Sequence, residues 1–214
     1  MQDQKQQESE FQAGIPPRLV SVFYSVFDDD KGPIVLHEVP EGSIIQTESS
    51  TPIIDFNSIS DYIIPKVELC GHLITICTDS HKVMGFPVVL TGDKYFRFTF
   101  FFNLCFVFDR NADTSSYEPV VRKVARILRS LENESGFLYK NKSDSFMQNI
   151  IEQLLEDLNN YCECQILIDQ SNAINLKLYP TYRNPPPVYD HQVPICTVNL
   201  AALMDANWDI TLRK

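Results

Sequence analysis

The chain has 214 residues, 44% of them hydrophobic and 14 of them Phe, enough apolar mass for a packed core. Its 18 Lys and Arg stand against 28 Asp and Glu, a formal net charge of −10. That balance argues against broad binding to nucleic-acid phosphates and against stable adsorption on anionic lipid, and favours a partner with a basic or neutral face.

Met1 to Pro17 is polar and Gln-rich and closes on Pro16-Pro17. It buries too little to order itself, so residues 1–17 are expected to be a disordered arm. Its start carries no secretory signal, and no window approaches the length of a membrane span, which points to a cytosolic chain without direct membrane insertion. LVSVFYSVF, ending at Phe27, reads as a strand. Asp28 to Pro33 forces a reversal, so Ile34 to Val39 should return antiparallel beside it. The acidic tip lacks the spacing of a calcium loop and reads as a solvated turn. Glu41 to Thr51 is a Ser/Thr-rich loop. A helix is expected to begin at Pro52, its apolar positions Ile53, Ile54, Phe56, Ile59, Tyr62 and Ile63 falling mostly three and four apart, and to stop at Pro65.

His72 to Cys77 and Val83 to Leu90 are expected to be short strands. The centre of the chain is Lys82 to Arg110, two apolar runs about a polar turn that read as a hairpin. In its second arm Phe96, Phe98, Phe100, Phe102, Leu104, Phe106 and Phe108 alternate with Arg97, Thr99, Asn103, Cys105 and Asp109, the period of a strand with one fully buried face. Arg97 breaks the pattern. A guanidinium among aromatics must be paired, reach solvent, or be held out for a partner, and pairing within the chain is the usual outcome.

Beyond Glu118-Pro119, Val120, Val124, Ile127, Leu128 and Leu131 recur at helical spacing, with Arg122, Lys123, Arg126 and Arg129 mostly elsewhere as a solvated face. Phe146, Ile150, Ile151, Leu154, Leu155 and Leu158 mark a second late helix. Two strands, a helix, three strands and two helices make an α+β domain, a five-stranded antiparallel sheet with one helix on one face and two on the other. Gln165–Ile168 and Ile174–Leu178 then form a hairpin about Asp169 to Asn172. Pro185-Pro186-Pro187 is a stiff linker leading through Val193 to Val198 to the only Trp, Trp208.

Enzymatic signatures are missing: there is no Gly-rich phosphate loop, no G-x-S-x-G and no H-E-x-x-H. His37, His72, His81 and His191 stand apart and read as ordinary histidines. The Cys at 70, 77, 105, 162, 164 and 196 include one C-x-C without a second pair, so no metal site and no cofactor are expected.

Three segments together resemble the nitrogen permease regulator 2-like family: Pro65, Lys66 and Leu69; Leu73, Ile74 and Thr75; and a K-Y-x-R-x-x-x-x-F-N-L-x-F-V run formed by Lys94, Tyr95, Arg97, Phe102, Asn103, Leu104, Phe106 and Val107. Tyr117 to Lys123, Leu131-Glu132-x-Glu134-Ser135, Ile168-Asp169-x-Ser171-Asn172, Pro186-Pro187, Val193-Pro194 and Trp208-Asp209 continue the likeness, so that it runs from Arg18 to Lys214. Departures are the Gln-rich arm, the Ser/Thr-rich loop and Cys105 where a Gly often stands.

The resemblance implies a longin domain over residues 18–160, a β-hairpin extension over 161–182, and over 183–214 the Pro-rich linker and the start of a truncated downstream region. It implies a subunit paired with a nitrogen permease regulator 3-like protein and joined by a third large subunit in a SEACIT or GATOR-one complex. Such a complex is recruited from the cytoplasm to the vacuolar or lysosomal surface and restrains the TOR kinase complex when amino acids are scarce. The implied activity is GTPase activation toward a Rag-type small GTPase. The family's catalytic arginine falls on Arg97, with Lys94 and Tyr95 shaping its loop. The alternative is a non-catalytic longin module that scaffolds by heterodimerisation. An exposed Arg97 at a loop–strand junction favours the first; an Arg97 sealed by a carboxylate of its own chain favours the second.

Overall fold

The computed structural model describes residues 13–14, 16–48, 50–141, 145–167, 173–179 and 181–182. Most of the expected N-terminal arm, the expected hairpin tip within 168–172 and the expected linker with Trp208 lie outside them. Within the expected arm, β1 (Ala13–Gly14) is described, and it precedes β2 (Leu19–Asp28) and β3 (Gly32–Val39). These are followed by α1 (Phe56–Ile63), β4 (Ile74–Cys77), β5 (His81–Gly85), β6 (Val88–Thr91) and β7 (Thr99–Asp109). Then come α2 (Glu118–Ser135), the short α3 (Phe137–Lys140), α4 (Ser145–Tyr161), β8 (Glu163–Leu167), β9 (Ala173–Lys177) and β10 (Thr181–Tyr182).

The main sheet runs β3-β2-β7-β5-β4, with β6 beside β7, and every pairing in it is antiparallel. β5 and β6 share one lane: β5 pairs the end of β7 (Met84 opposite Phe106) and β6 pairs its start (Leu90 opposite Phe100). The sheet therefore has the five lanes read from the sequence. The strand expected over Val83 to Leu90 is split at Phe86-Pro87, where proline has no N–H for the ladder.

The expectation of one buried face on the central strand is corrected. Phe100, Phe102, Leu104, Phe106 and Phe108 pack in one core with α2 and α4, but Cys105 and Val107 are equally buried in a second core with Phe23, Ile59 and Ile63. A strand between two helical layers needs apolar residues on both sides. Asn103, completely buried on that second side, is the exception with a purpose. Its Oδ1 accepts from Phe86 N–H at 2.9 Å and its Nδ2 donates to the Ile63 carbonyl at 2.8 Å. One amide thus satisfies both the break between β5 and β6 and the end of α1. A Cβ at Gly85 would come within 2.9 Å of Asn103 Nδ2 and Cys105 Sγ, so a glycine is needed where this amide crosses the sheet.

The α1 expectation also shifts. The helix starts at Phe56, not near Pro52, because Asp55 caps it by accepting from Asn57 N–H at 3.0 Å. On the other face, Asn159 of α4 clips the start of β2, accepting from Leu19 N–H at 2.7 Å and donating to its carbonyl at 3.0 Å. The hairpin β8–β9 lies over α2 and α4, where Ile166 and Ile174 line a small apolar cavity together with Val124, Leu128 and Ile150. The basic row of α2 is partly engaged there, since Lys123 Nζ donates to the Asn175 carbonyl at 2.7 Å. Past that hairpin, β10 pairs antiparallel with β1. Among the described residues no helix is long and apolar enough to cross a membrane.

Asn103→Ala strands the Phe86 N–H and the Ile63 carbonyl. It is expected to cost about 2–4 kcal/mol, seen as a lower urea midpoint with an unchanged slope. A midpoint within error of the parent would mean that neither hydrogen bond matters to the fold.

Candidate functional site

Arg97 does not begin the central strand, as its place in the Phe alternation suggests; it lies in a turn of Phe96–Phe98 that precedes β7. The strand starts at Thr99 because Arg97 (φ 53°, ψ 24°) and Phe98 (φ 61°) are left-handed and take the chain out of the ladder. For non-glycine residues that backbone costs about 1–2 kcal/mol each, so the surroundings must impose it.

Those surroundings are built on Glu132. This residue is fully buried near the end of α2, four positions after Leu128 and eight after Val124 on the helix face that packs into the core. Its Oε1 accepts from the Tyr95 hydroxyl at 3.0 Å and lies 3.3 Å from Lys94 Nζ. Its Oε2 accepts from the Tyr139 N–H at 3.0 Å, and its main-chain carbonyl accepts from Lys94 Nζ at 2.8 Å and from Gly136 N–H at 2.9 Å. The buried charge is therefore paired and hydrogen-bonded, the condition under which a carboxylate survives away from water.

Tyr95 and Tyr139 extend this hold to the turn itself. Tyr95 is 4% exposed and packs edge-on to Tyr139, ring centroids 5.1 Å apart, with Phe100 of β7 against both. The Tyr139 hydroxyl accepts from Phe96 N–H at 2.9 Å, and Phe98 N–H donates to the Tyr95 carbonyl at 3.0 Å. The Lys94 ammonium sits 4.9 Å over the Tyr95 ring. Contact with the Tyr95 hydroxyl chiefly raises its pKa, Glu132 adds to the rise and burial opposes it. Burial chiefly raises the pKa of the Tyr95 phenol.

Arg97 itself is exposed. Among the described residues no carboxylate lies within ion-pair distance of it; its guanidinium carbon stands 5.6 Å from the Phe96 ring centroid. The structure thus brings Lys94, Tyr95 and Arg97 onto one loop with separate tasks: the first two fasten it to α2, and the third is left outward. Glu132 entered the sequence reading only as part of the family likeness, and neither it nor Tyr139 was marked there as a site residue. An acid in register with Val124 and Leu128 on an apolar helix stripe was the available signal for Glu132; nothing local marks Tyr139. His81 is bonded to Ser80 Oγ at 2.8 Å, and no cluster of three or more His, Cys, Asp or Glu suited to a metal occurs among the described residues.

A profile of the family described as Nitrogen permease regulator 2 matches residues 17–214. The chain is 42% identical over 200 residues to the Nitrogen permease regulator 2 homolog of Schizosaccharomyces pombe, covering 93% of this chain and 49% of that protein. It is 36% identical over 194 residues to the GATOR complex protein NPRL2 of Drosophila melanogaster, covering 90% and 45%. With Nitrogen permease regulator 2 of Saccharomyces cerevisiae the identity is 27%, covering 96% and 43%. The chain thus spans about half the length of the curated relatives it matches.

Glu132→Gln removes the negative partner of Lys94 and puts an amide where a carboxylate accepts two N–H or O–H donors. The expected loss is about 2–4 kcal/mol, with amide exchange at Phe96 and Phe98 accelerated more than within β7. Unchanged protection of those two amides would show that the turn holds itself without α2.

Proposed function

Because the chain belongs to the nitrogen permease regulator 2 family, we propose that it is the GTPase-activating subunit of a SEACIT or GATOR-one type complex, presenting Arg97 in trans to a Rag-type small GTPase. In this reading it performs no turnover of its own. It pairs through its longin domain with a nitrogen permease regulator 3-like protein, joins a third large subunit, and restrains TOR signalling from the vacuolar or lysosomal surface when amino acids are scarce.

One observation carries the proposal: Arg97 is exposed on a fastened turn at a loop–strand junction, while its neighbours Lys94 and Tyr95 are the residues tied to Glu132. Phosphoryl transfer needs charge stabilisation more than covalent help, and an arginine supplied in trans is worth about three to five decades of rate, roughly 4–7 kcal/mol of barrier. A guanidinium can serve only if it arrives unneutralised and with little orientational freedom. The Glu132 hub supplies the second condition by fixing the backbone on both sides of Arg97.

Scaffolding by heterodimerisation has separate support. β4 is one of the two outer strands of the sheet, and Tyr62, Val67 and Leu69 are exposed in the segment from α1 toward it. An open strand edge beside exposed apolar side chains suits the addition of a second domain. This is compatible with catalysis by Arg97 and would be the whole function only if Arg97 were dispensable.

Arg97→Ala, assayed by single-turnover GTP hydrolysis in the assembled complex, is expected to lower stimulated hydrolysis by about 10³-fold or more while assembly and melting temperature hold. Arg97→Lys should recover little, since a point charge cannot reproduce a planar fork across phosphate oxygens. Full stimulation by Arg97→Ala would leave scaffolding as the function.

A further inference from the structure

Phe96 is 56% and Phe98 66% exposed, with the exposed Arg97 between them. If the extended register of β7 ran back through the turn, both rings would join Phe100 and Phe102 in the core and Arg97 would point to the opposite face. The left-handed residues Arg97 and Phe98 prevent this, and three consecutive side chains stand in water instead. Asn, Asp or Gly would take such a turn with less strain, and any polar residue would tolerate the solvent better. Phenylalanine is unfavourable on both counts, yet the turn is held firmly by Tyr95, Tyr139 and Glu132. Solvated aromatic rings on a strained but fastened backbone indicate a surface kept ready for a partner.

We propose that Phe96 and Phe98 are positioning residues that form an apolar clamp on either side of Arg97, seating against the protein surface that rims the bound triphosphate of the GTPase. The inference rests on the GTPase-activating reading above. Phe96 already stands under the guanidinium at cation–π range, narrowing its directions. Phe98 adds a second ring, and burying both rings against the partner supplies docking free energy beside the guanidinium. Aromatic rings around an arginine are also the composition of interface hot spots. An anionic bilayer is the competing occupant for exposed rings beside a cation, and the net charge of −10 disfavours it.

The test measures stimulation of a GTP-loaded Rag-type GTPase by the fully assembled complex as a function of GTPase concentration. Phe96→Ser, and Phe98→Asn, which tolerates the left-handed backbone without the ring, are each expected to raise the half-maximal concentration by about tenfold, with the saturating rate within about threefold of wild type. Phe98→Leu, still apolar, should keep most of the docking. Arg97→Ala should give the opposite split, so that an unaffected Arg97→Ala rejects the activating role, whereas an unaffected docking curve in the Phe variants rejects the clamp. A lowered melting temperature in those variants would mean that the rings serve the chain's own fold and would also overturn the clamp. So would binding to phosphatidylserine vesicles that the Phe variants abolish without altering the GTPase curve.

Discussion

A single buried carboxylate governs the geometry of the candidate site. Glu132 gathers Tyr95, Lys94 and Tyr139 around two oxygens, and through them fixes the short segment from Lys94 to Phe98 against the end of α2. Without such a constraint, two adjacent left-handed residues would relax toward an extended strand that buries Phe96 and Phe98. Burying each of those rings would gain about 1.5–3 kcal/mol, so the turn persists against a substantial local preference. The hub resists that pull because releasing it would leave a charged carboxylate in the core without partners.

The hub in turn depends on the sheet. Phe100, the first fully buried ring of β7, packs against both Tyr95 and Tyr139, so the strand start and the turn share one aromatic cluster. Farther along β7, Asn103 ties the β5–β6 break to the end of α1, which holds the opposite face of the same strand. Both anchors are polar groups completely buried in apolar surroundings. Each is satisfied through side chain and backbone from more than one element, and that makes the relative placement of α1, β7 and α2 specific rather than merely compact.

Much of this was legible in the sequence. The strand and helix order, the five lanes and the amphipathic stripes of α2 and α4 all follow from periodicity. What misled was the same periodicity carried too far: Phe96 and Phe98 continue the even-numbered pattern of β7, and only tertiary hydrogen bonds to Tyr139 and Glu132 reveal where the strand stops. The burial of Cys105 and Val107 was equally hidden, because a polar Asn103 among them imitates a solvent-facing side. Pro52 looked like a helix start, but Asp55 could bond to Asn57 N–H and so moved the boundary. Tyr139 could not have been chosen, since its role arises only where α3 folds back toward the turn.

If Arg97 acts as proposed, the Glu132 hub acts on function through the aim of that guanidinium. A double-mutant cycle of Tyr95→Phe and Arg97→Ala, read as single-turnover GTP hydrolysis by the GTPase bound to the assembled complex, tests it most directly. Tyr95→Phe deletes only the hydroxyl that donates to Glu132 and keeps the ring. If the hub aims the guanidinium, that deletion slows hydrolysis by about tenfold or more when Arg97 is present and has no further effect once Arg97 is Ala. An equal fold-loss in both backgrounds would contradict the account, because the hub would then be acting independently of Arg97.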